Sequence, residues 1–380
     1  MKKKLIRVTT ADISLGGLLK GQLRYLNQKF DVVGVAADTG VLASVGEREG
    51  IRMIDVPMRR EISIWKDLEC LFALFRLFRK EKPFIVHANT PKGSLLSMMA
   101  ALVARVPHRI YTVTGLRYQG ASGISRWVLM TMERITCICA NKVIPEGQGV
   151  KSTLRSDHIT RKPLEVIHNG NINGIDTSFF SVESCPESRA SMRNKLRLAE
   201  GDFAFIFVGR IVRDKGMNEL ADVMRNLSID YPECKLILVG SFESELDPLL
   251  PGNEDFFKSS PNIIYVGRQQ DVRPYFVAAD ALVFPSYREG FPNVVMQAGA
   301  MGLPSIVTDI NGCNEIIIDN ENGRIVPPKD GTGLESMMTW FIDNREEVAK
   351  MASGATRMIK ARYEQKDVWD ALMKMYLSLE

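Results

Sequence analysis

In the run Glu289-Gly290-Phe291-Pro292-Asn293-Val294-Val295-Met296-Gln297 a carboxylate lies just ahead of a helix start. An apolar, strand-like segment, Ala281 to Pro285, precedes the run, and a helix-like one, Asn293 to Met301, follows it. Asn293 can cap a helix whose first N–H groups have no partner within the helix. Such an end suits a phosphate, and the neighbouring acid suits sugar hydroxyls. Farther back, Phe203 to Val208 is a buried-strand pattern ending in Gly209-Arg210, and Lys215-Gly216 follows just before another helix. Both cations can project from one strand-to-helix loop toward a common point, which would balance a diphosphate while bound and as it leaves. Taken singly, each of these charges is as readily a solvated loop residue. Their combination favours a ligand.

The elements that must position these residues alternate along the chain. Strand patterns cover Leu5–Thr9, Asp31–Ala36, Ile51–Val56, Phe84–Ala88, Arg109–Val113, Lys142–Ile144 and Glu165–Ile167, with helical patterns at Gly17–Leu26, Ile64–Lys82, Lys92–Arg105, Ser125–Ala140 and Gln148–Arg155. The pattern restarts with strands at Phe203–Val208, Lys235–Val239, Ile263–Val266, Ala281–Phe284, Ser305–Thr308 and Arg324–Val326. Alternation of this kind predicts α/β architecture: two doubly wound, Rossmann-like domains, each a parallel sheet with helices on both faces. In such sheets ligands bind beyond the carboxyl ends of the strands, where Glu289 and Arg210 fall.

With 380 residues, 45% hydrophobic and 25% charged, the chain reads as a globular protein of two ordinary domains. The first residues, Met1-Lys2-Lys3-Lys4, run straight into a strand, so no secretion signal is expected. The longest apolar run, Leu95 to Ala104, is about half of the roughly 20 residues a membrane-spanning helix needs. The six cysteines are scattered and read as small buried hydrophobes in a reducing compartment. The net charge of +4 hides a split: residues 1–180 hold 27 Lys and Arg against 15 acids, or +12, and the remainder hold 22 against 30, or −8. A basic half implies an acidic partner. Nucleic-acid motifs are missing, so the candidates are the surface of an anionic membrane and plain solvation. The aromatic, basic-ended stretch from Ile64 to Lys80 reads first as a core-facing helix and second as a face resting on a membrane.

The Glu289 run, with Gly209-Arg210 and Lys215-Gly216, closely resembles the donor-site signature of glycosyltransferase family four. The string Pro285-Ser286-Tyr287-Arg288-Glu289-Gly290-Phe291-Pro292 is similar to that of bacterial N-acetylgalactosaminyl and capsular-polysaccharide transferases acting on lipid-linked acceptors. The resemblance implies a GT-B fold, two domains facing a cleft. An acceptor domain would span 1–175, a nucleotide-sugar domain 176–362, and the C-terminal helix, 363–380, would cross back to the first domain. It implies a retaining enzyme moving a hexose or N-acetylhexosamine from a UDP-sugar to a glycan or undecaprenyl-diphosphate-linked acceptor, in surface polysaccharide, lipopolysaccharide or glycoprotein glycan synthesis. Glu289, Arg210 and Lys215 become the catalytic candidates. Gly209, Arg268, Gly290, Phe291, Pro292, Asn293, Val294 and Gln297 become donor contacts. Family members carry an acid where Gln297 stands; an amide can still bond both ribose hydroxyls, without charge. Val266-Gly267-Arg268 matches a nucleobase-contacting segment, and Asn311 to Glu315 a loop near the donor or an ordinary capping turn.

In the first half, Gly16 and Gly17 follow the first strand and are read as beginning a helix, where backbone N–H groups could approach the donor or acceptor. Thr114, Arg117 and Tyr118 are the acceptor-binding candidates; family members place a His at the position of Thr114, and Thr offers no proton at neutral pH. No cofactor is expected beyond the UDP-sugar as co-substrate, and no metal: the four His have no ligand spacing, and Glu243-x-Glu245-x-Asp247 reads as a solvated helix start. The implied place is the cytoplasm, with the inner face of the cytoplasmic membrane as the finer alternative. Two rival readings stand beside this one, a nonhydrolysing UDP-sugar epimerase and a degenerate glycan-binding scaffold.

Overall fold

The computed structural model describes residues 2–59, 63–245 and 247–379. The chain divides into two units, Met1–Gly174 with Gln365–Glu380, and Ile175–Glu364.

The first unit is built on β1 (Lys4–Ala11), β2 (Asp31–Ala37), β3 (Arg52–Asp55), β4 (Ile85–Ala88), β5 (His108–Val113) and β6 (Lys142–Pro145). All pair in parallel, in the order β3-β2-β1-β4-β5-β6. Its helices are α1 (Asp12–Leu18), α2 (Gln22–Leu26), α3 (Leu42–Glu49), α4 (Ile64–Glu81), α5 (Pro91–Val103), α6 (Gly123–Cys139) and α7 (Gln148–Ser156). The second unit repeats the plan with β7 (Phe203–Val208), β8 (Cys234–Val239), β9 (Ile263–Gly267), β10 (Ala281–Phe284), β11 (Ser305–Thr308) and β12 (Gly323–Val326), in the order β12-β11-β10-β7-β8-β9. Its helices are α8 (Arg189–Lys195), α9 (Met217–Asp230), α10 (Asn253–Ser259), α11 (Arg273–Ala278), α12 (Asn293–Ala300), α13 (Cys313–Ile316), α14 (Gly331–Asp343) and α15 (Arg345–Tyr363). The last helix, α16 (Gln365–Leu377), belongs to the first unit.

Continuous apolar strands explain the sheets. Phe203 to Phe207 are all buried, because helices cover a parallel sheet on both faces. In each sheet the order reverses beside the first strand, between β1 and β4 and between β7 and β10. There the loops diverge to opposite faces and leave a crevice at the carboxyl ends.

The helix α16 is held to the first sheet by polar contacts as well as by burial. Tyr376 accepts from Arg7 Nη1 at 3.1 Å and pairs with His87 Nδ1, while Arg7 also donates to Gln22 and Asn89, each at 2.8 Å. The buried guanidinium is therefore met by neutral oxygens. Burial lowers its pKa and holds that of His87 well below the ordinary imidazole value.

Three expectations are corrected. Glu165–Ile167 is no strand: Pro163 removes a donor, and only Leu164 bridges to Val143. The helix expected over Gly17–Leu26 is two helices, broken at Gly21, where φ is +80°. The stripe of α4 is split: Cys70, Leu74 and Phe78, at i, i+4 and i+8, are buried, and Leu71, Phe75 and Leu77 pack half-buried against the same core, whereas Ile64, Trp65, Leu68 and Phe72 are exposed.

Candidate active site

Arg210 leaves β7 in a chain still paired with the one leaving β8: Gly209 N–H donates to Val239 at 3.0 Å and Ile211 N–H to Ser241 at 2.9 Å. Its half-exposed guanidinium lies 2.9 Å from Glu243. Arg213 pairs with Asp247 at 3.2 Å, and that carboxylate also accepts from the Asp214 N–H at 2.7 Å. The acidic cluster after β8 is thus not a helix start. Glu243 and Asp247 sit in the loop and hold two arginines of the neighbouring one.

The loop then tightens into a 3-10 turn, Arg213–Lys215, closed by Gly216 with φ +70°. A Cβ at Gly216 would lie 2.1 Å from the Pro285 carbonyl oxygen, so only glycine allows the two loops to touch. That approach brings Lys215 against the exit of β10, where its ammonium pairs with Glu289 and sits 5.5 Å from the Phe284 ring centre.

The residues after β10 lock the same two loops together. Tyr287 N–H donates to the Asp214 carbonyl at 2.9 Å, Arg288 pairs with the Asp214 carboxylate at 2.6 Å, and the Tyr287 hydroxyl donates to Glu219 at 2.6 Å. Burial and that bond push the Tyr287 phenol above its usual range. Ser286 is fully buried; its hydroxyl donates to Glu289 Oε1 at 2.9 Å, and its carbonyl accepts from Thr308. Lys215 and Ser286 therefore share one carboxylate oxygen, Oε1. The other, Oε2, makes no hydrogen bond among the described residues.

The following turn is cradled by a second glycine. Gly312 has φ +75°, and a Cβ there would come within 2.7 Å of the Gly290 oxygen and the Phe291 Cα. The Asn311–Glu315 segment thus serves as a capping turn, with Gly312 before α13, and as a wall against Gly290 to Pro292. Burial and the Glu289 charge raise the pKa of Cys313 behind it. Phe291 is buried with its ring 5.5 Å from that of Tyr363, leaving only its backbone on the loop side. Pro292, not Asn293, occupies the N-cap of α12; Asn293 is the first helical residue, because the extended Pro292 already precedes the turn. Val294 and Gln297 are half-buried on α12, and the Gln297 side chain makes no hydrogen bond among the described residues. Arg268 is exposed beyond β9, after Gly267 at φ +69°, and likewise makes no ion pair among them.

The geometry therefore brings together Lys215, Glu289 and Ser286, with the Gly290–Val294 segment running directly on. Arg210 has a separate acid partner, Glu243. Sequence reasoning did not single out Ser286, Asp214 or Glu219, although Ser286 stands inside the Pro-Ser-Tyr-Arg-Glu string.

In the first unit, Gly16 and Gly17 are not at the start of a helix. They lie in the last turn of α1, where backbone N–H groups already bond within the helix, and a Cβ at Gly16 would meet Val45 at 2.7 Å. Packing accounts for Gly16. Thr114 is half-buried after β5, Arg117 is exposed, and Tyr118 is a core residue, 1% exposed, with the Arg126 guanidinium 5.6 Å from its ring centre. Its ring is not a surface contact. Among the described residues, no three His, Cys, Asp or Glu come together as a metal site.

Residues 188–358 match the family described as glycosyl transferases group 1, and residues 22–170 match the glycosyl transferase 4-like domain. The chain is 29% identical to the capsular polysaccharide biosynthesis glycosyltransferase CapM of Staphylococcus aureus, over 98% of this chain and 97% of that one. It is 26% identical to the Escherichia coli UDP-Gal:α-D-GlcNAc-diphosphoundecaprenol α-1,3-galactosyltransferase, over 87% of each. The crystal structure of Anabaena HepE in complex with UDP and glucose superposes over the whole of both chains with a TM-score of 0.79 at 18% identity, which shows a shared fold.

Proposed function

We propose, for a chain that belongs with the glycosyl transferases of group 1 and is therefore a transferase, that it moves a hexose or N-acetylhexosamine from a UDP-sugar to a glycan or undecaprenyl-diphosphate-linked acceptor. The product would be a bacterial capsular or other surface glycan. The observation that carries this reading is the Glu289 carboxylate: Lys215 and Ser286 fix Oε1, which leaves Oε2 for a sugar hydroxyl. It sits at the β7/β10 reversal, where an α/β sheet offers its crevice.

The proposed step retains configuration. The bond from the anomeric carbon to the β-phosphate oxygen breaks, and its electron pair stays on that oxygen. The acceptor hydroxyl bonds the carbon from the same face, and its proton passes to the departing phosphate. Lys215 and Arg210 balance the charge that develops there, which is where preorganised cations lower a barrier most. Backbone of Gly290 to Val294 lies along the donor, Gln297 and Arg268 take the nucleoside, and the first unit, with Thr114 and Arg117, takes the acceptor. No metal is assigned a role, so turnover should persist in EDTA.

The donor reading rests on names: the E. coli relative is named for a UDP-galactose donor and a lipid-diphosphate acceptor, and the S. aureus relative for capsule synthesis. The test is UDP release from a panel of UDP-sugars with an undecaprenyl-diphosphate-linked acceptor, with the product's anomeric configuration read by NMR. An inverted product would remove the retaining step. Conversion of the UDP-sugar to an epimer without acceptor would replace the transferase reading altogether.

A further inference from the structure

The first unit carries large apolar side chains in water where its core has no use for them. On α4, Trp65 is 79% exposed, with Ile64, Leu68 and Phe72 beside it on the same face. On α6, Ile124 is 83% and Trp127 64% exposed. The two groups are neighbours in space. The helix α5 packs between α4 and α6, Lys92 at its start pairs with Asp67 of α4 at 2.6 Å, and Pro91 and Lys92 line one small cavity with Leu129 and Met132 of α6. Both apolar clusters thus flank the amino end of α5. In the second unit the exposed large apolar residues among those described are Phe179, Val182, Ile229, Leu250, Tyr265 and Ile318, and they include no Trp.

The charge on the α5 and α6 side of the patch is mainly positive, while α4 carries Lys66, Asp67 and Glu69, and Asp67 is paired with Lys92. From Lys92 to Lys142 the chain holds seven Lys and Arg and a single acid, Glu133, which is buried. Arg117 is exposed and Arg126 half-exposed on either side of the start of α6. Trp rings, aliphatic tips and arginines, of which Arg117 has no ion pair among the described residues and Arg126 lies 3.7 Å from Asp157, are the combination that rests at a bilayer interface, with rings at headgroup level and cations against anionic lipid. A water-exposed patch of this kind is otherwise a liability.

We infer that the amino ends of α4 and α6 form a docking face for an anionic lipid leaflet, Trp65 and Trp127 entering the headgroup region and Arg117 and Arg126 meeting anionic headgroups. The face lies in the unit proposed to take a lipid-linked acceptor, so it deepens that reading. It is tested without turnover, which keeps the two failures distinguishable.

The experiment is co-sedimentation of the full chain with vesicles of phosphatidylcholine alone and of phosphatidylcholine with phosphatidylglycerol, at low and high salt. Binding is expected to the anionic vesicles and to weaken with salt as the arginines are screened. Lipids brominated along their chains should quench tryptophan emission. Trp65→Phe and Trp127→Phe should each remove part of that quenching, while Trp340 and Trp369 contribute none. The double variant Trp65→Ala, Trp127→Ala should lose about tenfold or more in vesicle affinity, since each ring contributes buried apolar area. Its melting temperature, and the shift in it on adding UDP, should be unchanged. Equal binding to both vesicle types, no binding, or quenching that survives loss of both rings would overturn the proposal. So would a dimer of this chain that the double variant dissolves, because the patch would then be a face between copies.

Discussion

Lys215 and Glu289 stand 74 positions apart and meet in a direct ion pair at the carboxyl ends of β7 and β10. Each is only about one-sixth exposed, so the pair is shielded from the solvent that makes surface ion pairs weak. Water has little room to compete for either group, and a diphosphate arriving at the site would offer Lys215 a second partner. The acid then serves two ends. It keeps a cation in place, and its second oxygen, which makes no hydrogen bond among the described residues, is the one the proposed function gives to the sugar.

Glu289→Gln tests the acid. The amide keeps the shape and can still accept from Ser286, but it no longer pairs with Lys215 or binds sugar hydroxyls through a charge. Turnover should fall by about 10²- to 10³-fold, the range for loss of a preorganised electrostatic contact. Circular dichroism should be unchanged. A variant with near-wild-type UDP release would take Glu289 out of the chemistry.

Ser286→Ala addresses the residue that orients this acid. The hydroxyl reaches Glu289 Oε1 at 2.9 Å from a fully buried position. Its loss should lower kcat/KM by about tenfold, the equivalent of one hydrogen bond to a charged group. Affinity for UDP alone should stay the same, because UDP lacks the donor hexose whose hydroxyls Glu289 is proposed to bind. A parallel loss of UDP affinity would mean that Ser286 supports the loop in general.

Gly216→Ala asks whether the loop contact matters. The residue has φ +70°, and the new methyl would start 2.1 Å from the Pro285 oxygen. One loop must move away, taking Lys215 from Glu289. A stability loss of about 2 kcal/mol or more is expected from strain alone, seen as a lower melting temperature. Activity should fall further than the population of folded protein does.

Much of this arrangement is legible in the chain. The strands Phe203–Val208 and Ala281–Phe284 are continuous apolar runs between turn residues, and a buried parallel strand leaves little else to read. The doubly wound order then places the ends of β7 and β10 side by side. The bonds from Ser286 to Glu289 and from Arg288 to Asp214 are another matter: they depend on rotamers and loop paths that no local pattern encodes. Gly16 misleads because glycine after a strand serves close packing as often as ligand approach; Gly17 has open space at its Cβ position, and both lie in the last turn of α1. The stripe of α4 misleads for a related reason. Helical periodicity reports that one face is apolar, and cannot tell whether core or solvent lies against it. Trp127 gave no warning at all, since α6 buries its core residues at the same spacing.

Glu133 supplies a prediction with a defined pH window. It is buried on α6, and burial pushes its carboxyl up to about 7 from an ordinary 4.5, although the Tyr111 hydroxyl donating at 2.6 Å opposes the shift. Between those two values the folded chain holds a proton that the unfolded chain has released. Stability therefore falls as pH rises through the window from 4.5 to 7 and levels off above it. The total is on the order of 3 kcal/mol, from the size of the shift. Glu133→Gln keeps an oxygen for Tyr111 and removes the titration. The variant should melt close to wild type at acidic pH near the ordinary carboxylate value, and several degrees above it at mildly alkaline pH. A difference that does not change with pH would show that Glu133 is already charged, or still neutral, throughout the window.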